Sequence, residues 1–217
     1  MPEPADPTAF VLANTVVAAS PLVPEIKLRL TSEITPLWHA TEATLKETQL
    51  PPPYWAFAWA GGQALARHIL DHPDLVRGRT VLDFGAGSGV VAIAAAMAGA
   101  QVTAAEIDPF ALAAIALNAA LNEVAIAIER SDVIGREPAP WQTVLAGDMC
   151  YERPLAERLT EWLRSLATRG VAVLLGDPGR AYLPSDGLEA LARYDVPTPL
   201  ELEDRTIREG IVWQLTG

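Results

Sequence analysis

The chain has 217 residues, half of them hydrophobic, and a formal net charge of −11. This length and composition exclude a disordered chain and indicate one large globular domain, or a domain with an extension. The acidic balance argues against nucleic acid as the main partner, because binding to phosphates needs clustered lysine and arginine.

The first residues and the cysteine content bear on the compartment. The N-terminus is acidic and shows neither a signal peptide nor an arginine-rich transit peptide. The longest apolar stretches, near 9–19 and 90–100, are too short to cross a bilayer, so no membrane association is expected. The single cysteine, Cys150, excludes an internal disulfide and suits a reducing environment. We therefore predict a cytoplasmic protein.

Residues 1–75 are predicted to form an N-terminal extension ahead of an α/β core at 76–217. We expect a helix within 8–19 and an extended segment near 25–31. Extended backbone is also expected at the proline run 51–53, before a helix from about 61 to 71.

The core alternates apolar strand patterns with helical patterns, which predicts a mostly parallel sheet covered on both faces. Strands are predicted at 80–84, 101–106, 124–129, 142–147 and 170–176, and helices at about 88–98, 109–121, 153–168 and 186–193. Two further extended segments, near 194–202 and 206–216, predict an antiparallel C-terminal hairpin at the sheet edge. The fold class is thus α/β with a seven-stranded sheet.

A glycine-rich turn follows the first core strand and is the clearest functional signal. Asp83 ends the apolar run, and Gly85, Gly87 and Gly89 follow at intervals of two before an alanine-rich helix. Glycine tolerates positive φ and lets the backbone approach a ligand closely. Because strand ends of an open α/β sheet meet at one rim, this turn predicts a nucleotide-type site there. A tight turn without a ligand remains the alternative.

An acid at the end of the next strand extends this site. Glu106 is where such folds bind ribose hydroxyls, and Asp132, after the third strand, suits a hydrogen bond from an adenine amine. The spacing favours S-adenosylmethionine over NAD, because a dinucleotide fingerprint needs its third glycine at position 90, which is Val90. No metal site is predicted, since the three histidines have no ligand spacing with other donors.

Four further segments carry a resemblance to a known family: Leu22–Ile26, Pro51–Ala66, Gly147–Glu152 and Gly176–Pro184. With the glycine turn they resemble the class I methyltransferases that use S-adenosylmethionine. More narrowly, they resemble the lysine methyltransferases that act on the electron-transfer flavoprotein β-subunit, including bacterial relatives. The resemblance covers nearly the whole chain. It implies a Rossmann-like methyltransferase sheet, S-adenosylmethionine as cofactor and a protein substrate that presents a lysine.

The resemblance also implies roles for individual residues. Asp148 and Tyr151 match the Asp/Glu-x-x-Phe/Tyr signature of the seven-strand protein lysine methyltransferases, which implies that they act on the substrate lysine. Trp59 is implied to contact the cofactor, together with the Gly85–Gly89 turn, Glu106 and Asp132. Asp83 is expected to converge on the same site because it lies at the end of its strand. The prolines that small-molecule and nucleic-acid N-methyltransferases often carry at the signature are absent here.

Methylation of lysine requires a neutral amine, although the reference pKa of lysine is about 10.4. A dry channel walled by Tyr151, Trp55 and Trp59 would disfavour the ammonium form. A nearby carboxylate has the opposite effect on an amine pKa. We therefore interpret Asp148 as a hydrogen-bond acceptor that orients the amine, not as a strong base.

Other interpretations stay open at this point. Asp148 also suits a cap of the helix near 153, and Tyr151 suits the core. The segment Asp177–Arg180 is a turn by composition that also suits the mouth of the substrate channel. The acceptor is plausibly the flavoprotein β-subunit or a ribosomal protein, and we expect a monomeric enzyme. The alternatives are a small-molecule N-methyltransferase with a nicotinamide-like acceptor and an NAD-binding oxidoreductase.

Overall fold

The computed structural model describes residues 6–31, 52–137, 140–198 and 205–216. The predicted extended residues Pro51 and 199–202 lie outside these ranges. The helices are α1 Pro7–Asn14, α2 Ala60–Asp71, α3 Val90–Met97, α4 Pro109–Leu121 and α5 Arg153–Thr168. The strands are β1 Val16–Ser20, β2 Val23–Leu30, β3 Thr80–Phe84, β4 Gln101–Ala105, β5 Ile126–Glu129, β6 Thr143–Gly147, β7 Ala172–Asp177, β8 Leu188–Pro197 and β9 Ile207–Leu215.

Seven strands form the central sheet in the order β5-β4-β3-β6-β7-β9-β8. The five strands from β3 to β7 are parallel, and β9 runs antiparallel to both β7 and β8. The predicted seven-stranded sheet with an antiparallel C-terminal hairpin is thus confirmed. From β3 the chain adds β4 and β5 on one side of that strand, and then β6 and β7 on its other side, so the strand order reverses at β3. In open α/β sheets, ligands bind at such a switch point.

One predicted element is wrong. Residues 186–193 were expected to form a helix, because leucine, glutamate, alanine and arginine favour helices. Residues 188–197 instead form β8, which pairs with β9 from Leu188 opposite Leu215 to Pro197 opposite Ile207. Pairing along the whole strand overrides the local propensity, as tertiary context commonly does.

Helices cover both faces of the sheet with separate apolar clusters. On one face α2 and α3 pack side by side on the sheet, α3 is buried along most of its length, and Leu65, Ile69 and Ile93 lie fully in this core. On the other face α5 packs Leu159 and Leu163 against β6 and β7. None of the helices in the described ranges is both long and apolar enough to span a membrane.

The N-terminal segment builds a small hairpin beside α4. The predicted extended segment near 25–31 is confirmed as part of β2, which pairs antiparallel with β1; the predicted helix within 8–19 ends at Asn14 because β1 begins at Val16. The backbone of β2 is also bound by side chains of α4, which take the place of a neighbouring strand. The amide oxygen of Asn122 accepts from the N–H of Lys27, and that of Asn118 accepts from the N–H of Arg29.

Candidate active site

A cleft of about 410 Å³ opens at the carboxyl ends of β3, β4 and β6. This volume lies within the range of roughly 300–1,000 Å³ that is usual for small-molecule sites. Seven of the nine predicted site residues line it: Trp59, Gly85, Gly87, Glu106, Asp132, Asp148 and Tyr151. Asp83 and Gly89 are not among its lining residues.

The glycine turn forms the floor of the cleft. Gly85 and Gly87 have φ of +64° and +53°, a region that side-chain-bearing residues rarely adopt. A Cβ added to Gly85 would overlap the sulfur of Met149, so a side chain here would also have to displace the end of that methionine. The Gly87 N–H donates to Oε2 of Glu106 at 3.1 Å. The turn is therefore fastened to the acid that was predicted to bind ribose.

Asp83 and Gly89 flank this turn and fix it to α3. Asp83 is buried, and its Oδ2 accepts from the N–H of Ala92 in α3 at 2.9 Å. Burial raises the pKa of Asp83 to about 8, against which the Ala92 hydrogen bond acts. Gly89 has φ of +81° and begins α3, where it packs against Ile115. Both residues support the loop that lines the cleft.

Glu106 is held firmly in place by backbone donors. Its Oε1 accepts from the N–H of Ile107 at 2.7 Å and of Asp108 at 3.2 Å, in addition to the Gly87 bond at Oε2. Ile107 is 70% exposed and lines the cleft, so it offers an apolar surface beside the acid. Asp108 caps α4 through the N–H of Phe110, and burial raises the pKa of Asp108 to about 6.

Asp132 lies at the other end of the cleft, next to Ser131. Its Oδ1 accepts from the N–H of Ile134 at 2.9 Å, and its Oδ2 pairs with Arg158 of α5 at 2.8 Å. Partial burial raises the pKa of Asp132, but these two partners outweigh burial and leave the pKa lowered. The carboxylate is thus ionised at neutral pH.

Asp148 follows β6 and is the most enclosed of the predicted catalytic residues, with 8% of its surface exposed. Its Oδ2 accepts from the N–H of Gly62 at 2.7 Å, and its Oδ1 accepts from Arg180. Burial raises the pKa of Asp148 to about 6; the charge of Arg180 opposes this effect and the charge of Asp177 adds to it. The carboxylate is therefore anchored between α2 and the loop after β7, and does not cap α5.

Helix α2 approaches Asp148 closely because Gly61, in its first turn, has no side chain. A Cβ on Gly61 would overlap the carbonyl oxygen of Gly176 and lie 2.7 Å from Oδ2 of Asp148. At Gly62 the nearest atom to such a Cβ is 3.5 Å away, in Val90. Gly61 therefore sets the close packing of α2 on β7.

Aromatic rings form one wall of the cleft. Tyr54 lies with its ring centre 5.3 Å from that of Tyr151 and 5.8 Å from that of Trp59. The Trp59 Nε1 donates to the carbonyl oxygen of Tyr54 at 2.9 Å. Burial raises the pKa of Tyr151 to about 12, and Tyr54 and Glu152 add to this effect. The Tyr151 hydroxyl is thus protonated at neutral pH, and its ring is half exposed to the cleft.

Comparison with known proteins identifies the family. The electron transfer flavoprotein beta subunit lysine methyltransferase of Xenopus laevis is 42% identical over 217 residues, which cover 95% of this chain and 86% of that protein. The Homo sapiens protein of the same name is 38% identical, with 94% and 80% coverage. The chain belongs to the electron transfer flavoprotein beta subunit lysine methyltransferase family. The predicted S-adenosylmethionine-dependent protein-lysine methyltransferase is thereby confirmed.

Two further matches are consistent with this methyltransferase family. The family model of ribosomal protein L11 methyltransferase (PrmA) matches residues 64–147. The crystal structure of magnesium protoporphyrin IX methyltransferase (ChlM) from Synechocystis PCC 6803 with bound SAM superposes with a TM-score of 0.54 at 16% identity. The superposition covers 72% of this chain and 80% of the ChlM chain. At this identity the likeness supports the fold alone.

The cleft of this methyltransferase fits S-adenosylmethionine. Glu106 keeps an acceptor site at Oε2 beside a turn that has no side chains, which suits ribose hydroxyls. Ile107 and Leu155 offer apolar surface for a flat base, and Asp132 lies near them as an acceptor for an amine. Within the described ranges, no group of three or more His, Cys, Asp or Glu residues is arranged to hold a metal ion.

Sequence reasoning missed several residues of the cleft. Arg180 lines it, as the alternative interpretation of the Asp177–Arg180 turn predicted, but its link to Asp148 was not foreseen. Met149 and Arg158 had no distinguishing signal, since one is an ordinary apolar residue and the other a surface residue of α5. Ile107 does have a signal in retrospect, because it directly follows the acid that ends β4.

Proposed function

We propose that this methyltransferase methylates a lysine ε-amine of an electron-transfer flavoprotein β-subunit. The proposal is supported by the names of relatives that match nearly the whole chain. One observation carries the assignment of the acceptor end: Asp148 and Tyr151 lie in the same cleft as the glycine turn and Glu106, beside an opening walled by aromatic rings. A ribosomal protein is the second candidate acceptor, since the family model of ribosomal protein L11 methyltransferase matches residues 64–147.

The cofactor end is proposed to consist of Glu106, Asp132, the glycine turn and Trp59. When bound, S-adenosylmethionine supplies a sulfonium methyl group that is already strongly electrophilic, so the protein mainly has to position and desolvate the reactants. Glu106 would accept from ribose and Asp132 from the adenine amine. Asp83 and Gly89 would act indirectly, by fixing the turn.

The acceptor end is proposed to bind the lysine in its neutral form. With the acceptor bound, the rings of Tyr54, Trp59 and Tyr151 would surround the amine and displace water, which disfavours a charged ammonium. With S-adenosylmethionine bound, the amine lone pair would be placed to take the sulfonium methyl group, and S-adenosylhomocysteine would leave. The methylated ammonium would lose its extra proton to solvent. Asp148 would accept a hydrogen bond from the amine and so direct its lone pair.

We further propose that residues 1–75 act as a lid over the core at 76–217. Tyr54, Trp55 and Trp59 of this extension line the cleft together with core residues, which supports that role. The enzyme is proposed to act as a monomer in the cytoplasm and not on nucleic acid. Its net charge of −11 would repel a phosphate backbone.

Transfer of a labelled methyl group tests the proposal. The enzyme is incubated with radiolabelled S-adenosylmethionine and either purified flavoprotein β-subunit, ribosomal protein L11 or nicotinamide. We expect label in the β-subunit, on lysine. Label in nicotinamide alone would instead identify a small-molecule N-methyltransferase.

The Asp148→Ala variant tests the acceptor site separately. We expect it to abolish lysine methylation while the affinity for S-adenosylhomocysteine, measured by calorimetry, stays within a few-fold of wild type. A comparable loss of both would mean that Asp148 faces the cofactor or only supports the fold.

A further inference from the structure

Arg180 forms the closest charged contact of Asp148. Its Nη2 lies 2.8 Å and its Nε 3.1 Å from Oδ1 of Asp148, so one edge of the guanidinium faces that oxygen. The same guanidinium lies over the ring of Trp59, with 5.4 Å between the central carbon and the ring centre. Arg180 thus joins the carboxylate to the aromatic wall of the cleft.

The loop after β7 fixes Arg180 in this position. Oδ1 of Asp177 accepts from the N–H of Gly179 at 2.7 Å and from the N–H of Arg180 at 2.6 Å. Asp177 is buried at the end of β7, so its carboxyl group anchors the start of this turn to the sheet. The arginine still lines the cleft, with 17% of its side chain exposed.

The other groups around Asp148 do not balance its charge. Asp177 is a second buried carboxyl group whose charge acts on Asp148. Cys150 and Tyr151 follow in sequence, and the pKa of each is raised to about 12 mainly by burial. Gly62 contributes a neutral N–H from α2. Among the described residues that act on the Asp148 carboxyl group, Arg180 alone is a cation.

We propose that Arg180 is a positioning residue of the methyl-transfer site: it holds the Asp148 carboxylate ionised and oriented, so that the acceptor amine meets an ion pair and not a bare charge. This inference rests on the function proposed above. An isolated carboxylate beside the amine would stabilise the ammonium form, which cannot attack. With Arg180 in contact, Asp148 accepts a hydrogen bond from the neutral amine and stabilises its ammonium form less.

The alternative is that Arg180 only clamps the loop after β7 to β6. Both roles predict some loss of stability when the arginine is replaced. They differ in catalysis, because removal of the charge shifts the Asp148 titration in either case, whereas loss of a mere clamp would leave the pH dependence of kcat/KM unchanged. The test therefore compares the pH dependence of wild type with that of variants that are shown to be folded.

The variants are Arg180→Met and Arg180→Lys. The first removes the charge but keeps an extended apolar side chain, and the second keeps the charge but loses the paired N–H donors of the guanidinium. Arg164→Met is the matched control. That arginine lies on α5, pairs with Asp186 at 2.7 Å and does not line the cleft. Calorimetry with S-adenosylhomocysteine and thermal melting verify that each variant is folded and binds cofactor within a few-fold of wild type.

Two measurements follow the effect. The first is the carboxyl carbon resonance of Asp148 as a function of pH, assigned with Asp148→Asn. The second is the pH dependence of kcat/KM on the flavoprotein β-subunit. In Arg180→Met we expect the titration midpoint of Asp148 and the pH profile of kcat/KM to shift to higher pH by about one to two units. An opposite charge in contact has an effect of this size. kcat/KM at pH 7 would fall about 2- to 10-fold, with a smaller loss at higher pH. Arg180→Lys would recover most of the shift, and Arg164→Met would show none.

An unchanged pH dependence of kcat/KM in Arg180→Met, with only a lower melting temperature, would overturn the inference in favour of a clamp, and so would an unchanged Asp148 titration. If wild type fails to methylate the β-subunit, the proposed acceptor is wrong. The carboxyl titration still tests in that case whether Arg180 holds Asp148 ionised, because it needs no acceptor.

Discussion

Replacement of Glu106 by alanine tests the cofactor end of the cleft, and the structure gives the size of the effect. A carboxylate has about four lone-pair sites. Three backbone N–H groups, of Gly87, Ile107 and Asp108, already occupy sites on Glu106, and Oε2 accepts only one of these bonds, from Gly87. One ribose hydroxyl therefore has room to bind at Oε2. A hydrogen bond to a charged group contributes about 1.5–3 kcal/mol, so the Kd should rise about 10- to 150-fold.

Isothermal titration calorimetry with S-adenosylhomocysteine measures this change directly. Glu106→Gln keeps the side-chain volume and one acceptor oxygen, so an intermediate loss is expected. The control is Glu209→Ala, because Glu209 lies on β9 in an exposed pair with Arg193 and should leave the Kd unchanged. If Glu106→Ala binds S-adenosylhomocysteine as wild type does, the cofactor does not use this carboxylate and the proposed orientation is refuted.

Three further predictions concern the support of the site. Gly61→Ala should destabilise the fold by about 1–3 kcal/mol through overpacking against β7, whereas Gly62→Ala should be neutral or stabilising in thermal melting; equal effects would contradict the packing described for α2. The raised pKa of Asp83, about 8 against 3.8, means that the folded state binds a proton that the unfolded state releases. As the pH rises from about 3.8 to about 8, the free energy of unfolding should therefore fall by up to about 1.4 kcal/mol for each pH unit. Urea denaturation of Asp83→Asn should lack this slope, and a parallel profile would refute the assignment. Asn118→Ala should lower stability and weaken S-adenosylhomocysteine binding several-fold, because its Nδ2 donates to the glycine turn; Asn122→Ala should lower stability alone. Calorimetry that finds equal affinities in both variants would exclude this coupling.

Local patterns predict most of the core correctly. The strand, turn and helix around Gly85 follow from an apolar run, closely spaced glycines and an alanine-rich stretch, all within twenty residues. Parallel strands then bring Glu106 and Asp148 to the same rim, because the carboxyl ends of such strands meet there. These positions could be predicted since they depend on the order of elements and not on details of packing.

The misassigned and missed features depend on contacts that are distant in sequence. Residues 188–193 have the composition of a helix and become a strand only because β9 is available to pair with them. Arg180 is 32 residues from Asp148, and nothing local distinguishes it from an ordinary turn residue. Asn118 and Asn122 likewise bind β2 about 90 residues earlier in the chain. No local pattern encodes such pairs.

The backbone at Asp148 has a consequence for evolution and engineering. Its φ of +57° lies in a region that costs a residue with a Cβ about 1–2 kcal/mol, and glycine would adopt it freely. Replacement of Asp148 by glycine would relieve this strain, but it would also remove the carboxylate that the Gly62 N–H and the Arg180 guanidinium bind, and breaking a buried ion pair costs about 3–5 kcal/mol. Selection for thermostability alone should therefore retain this carboxylate despite its backbone conformation.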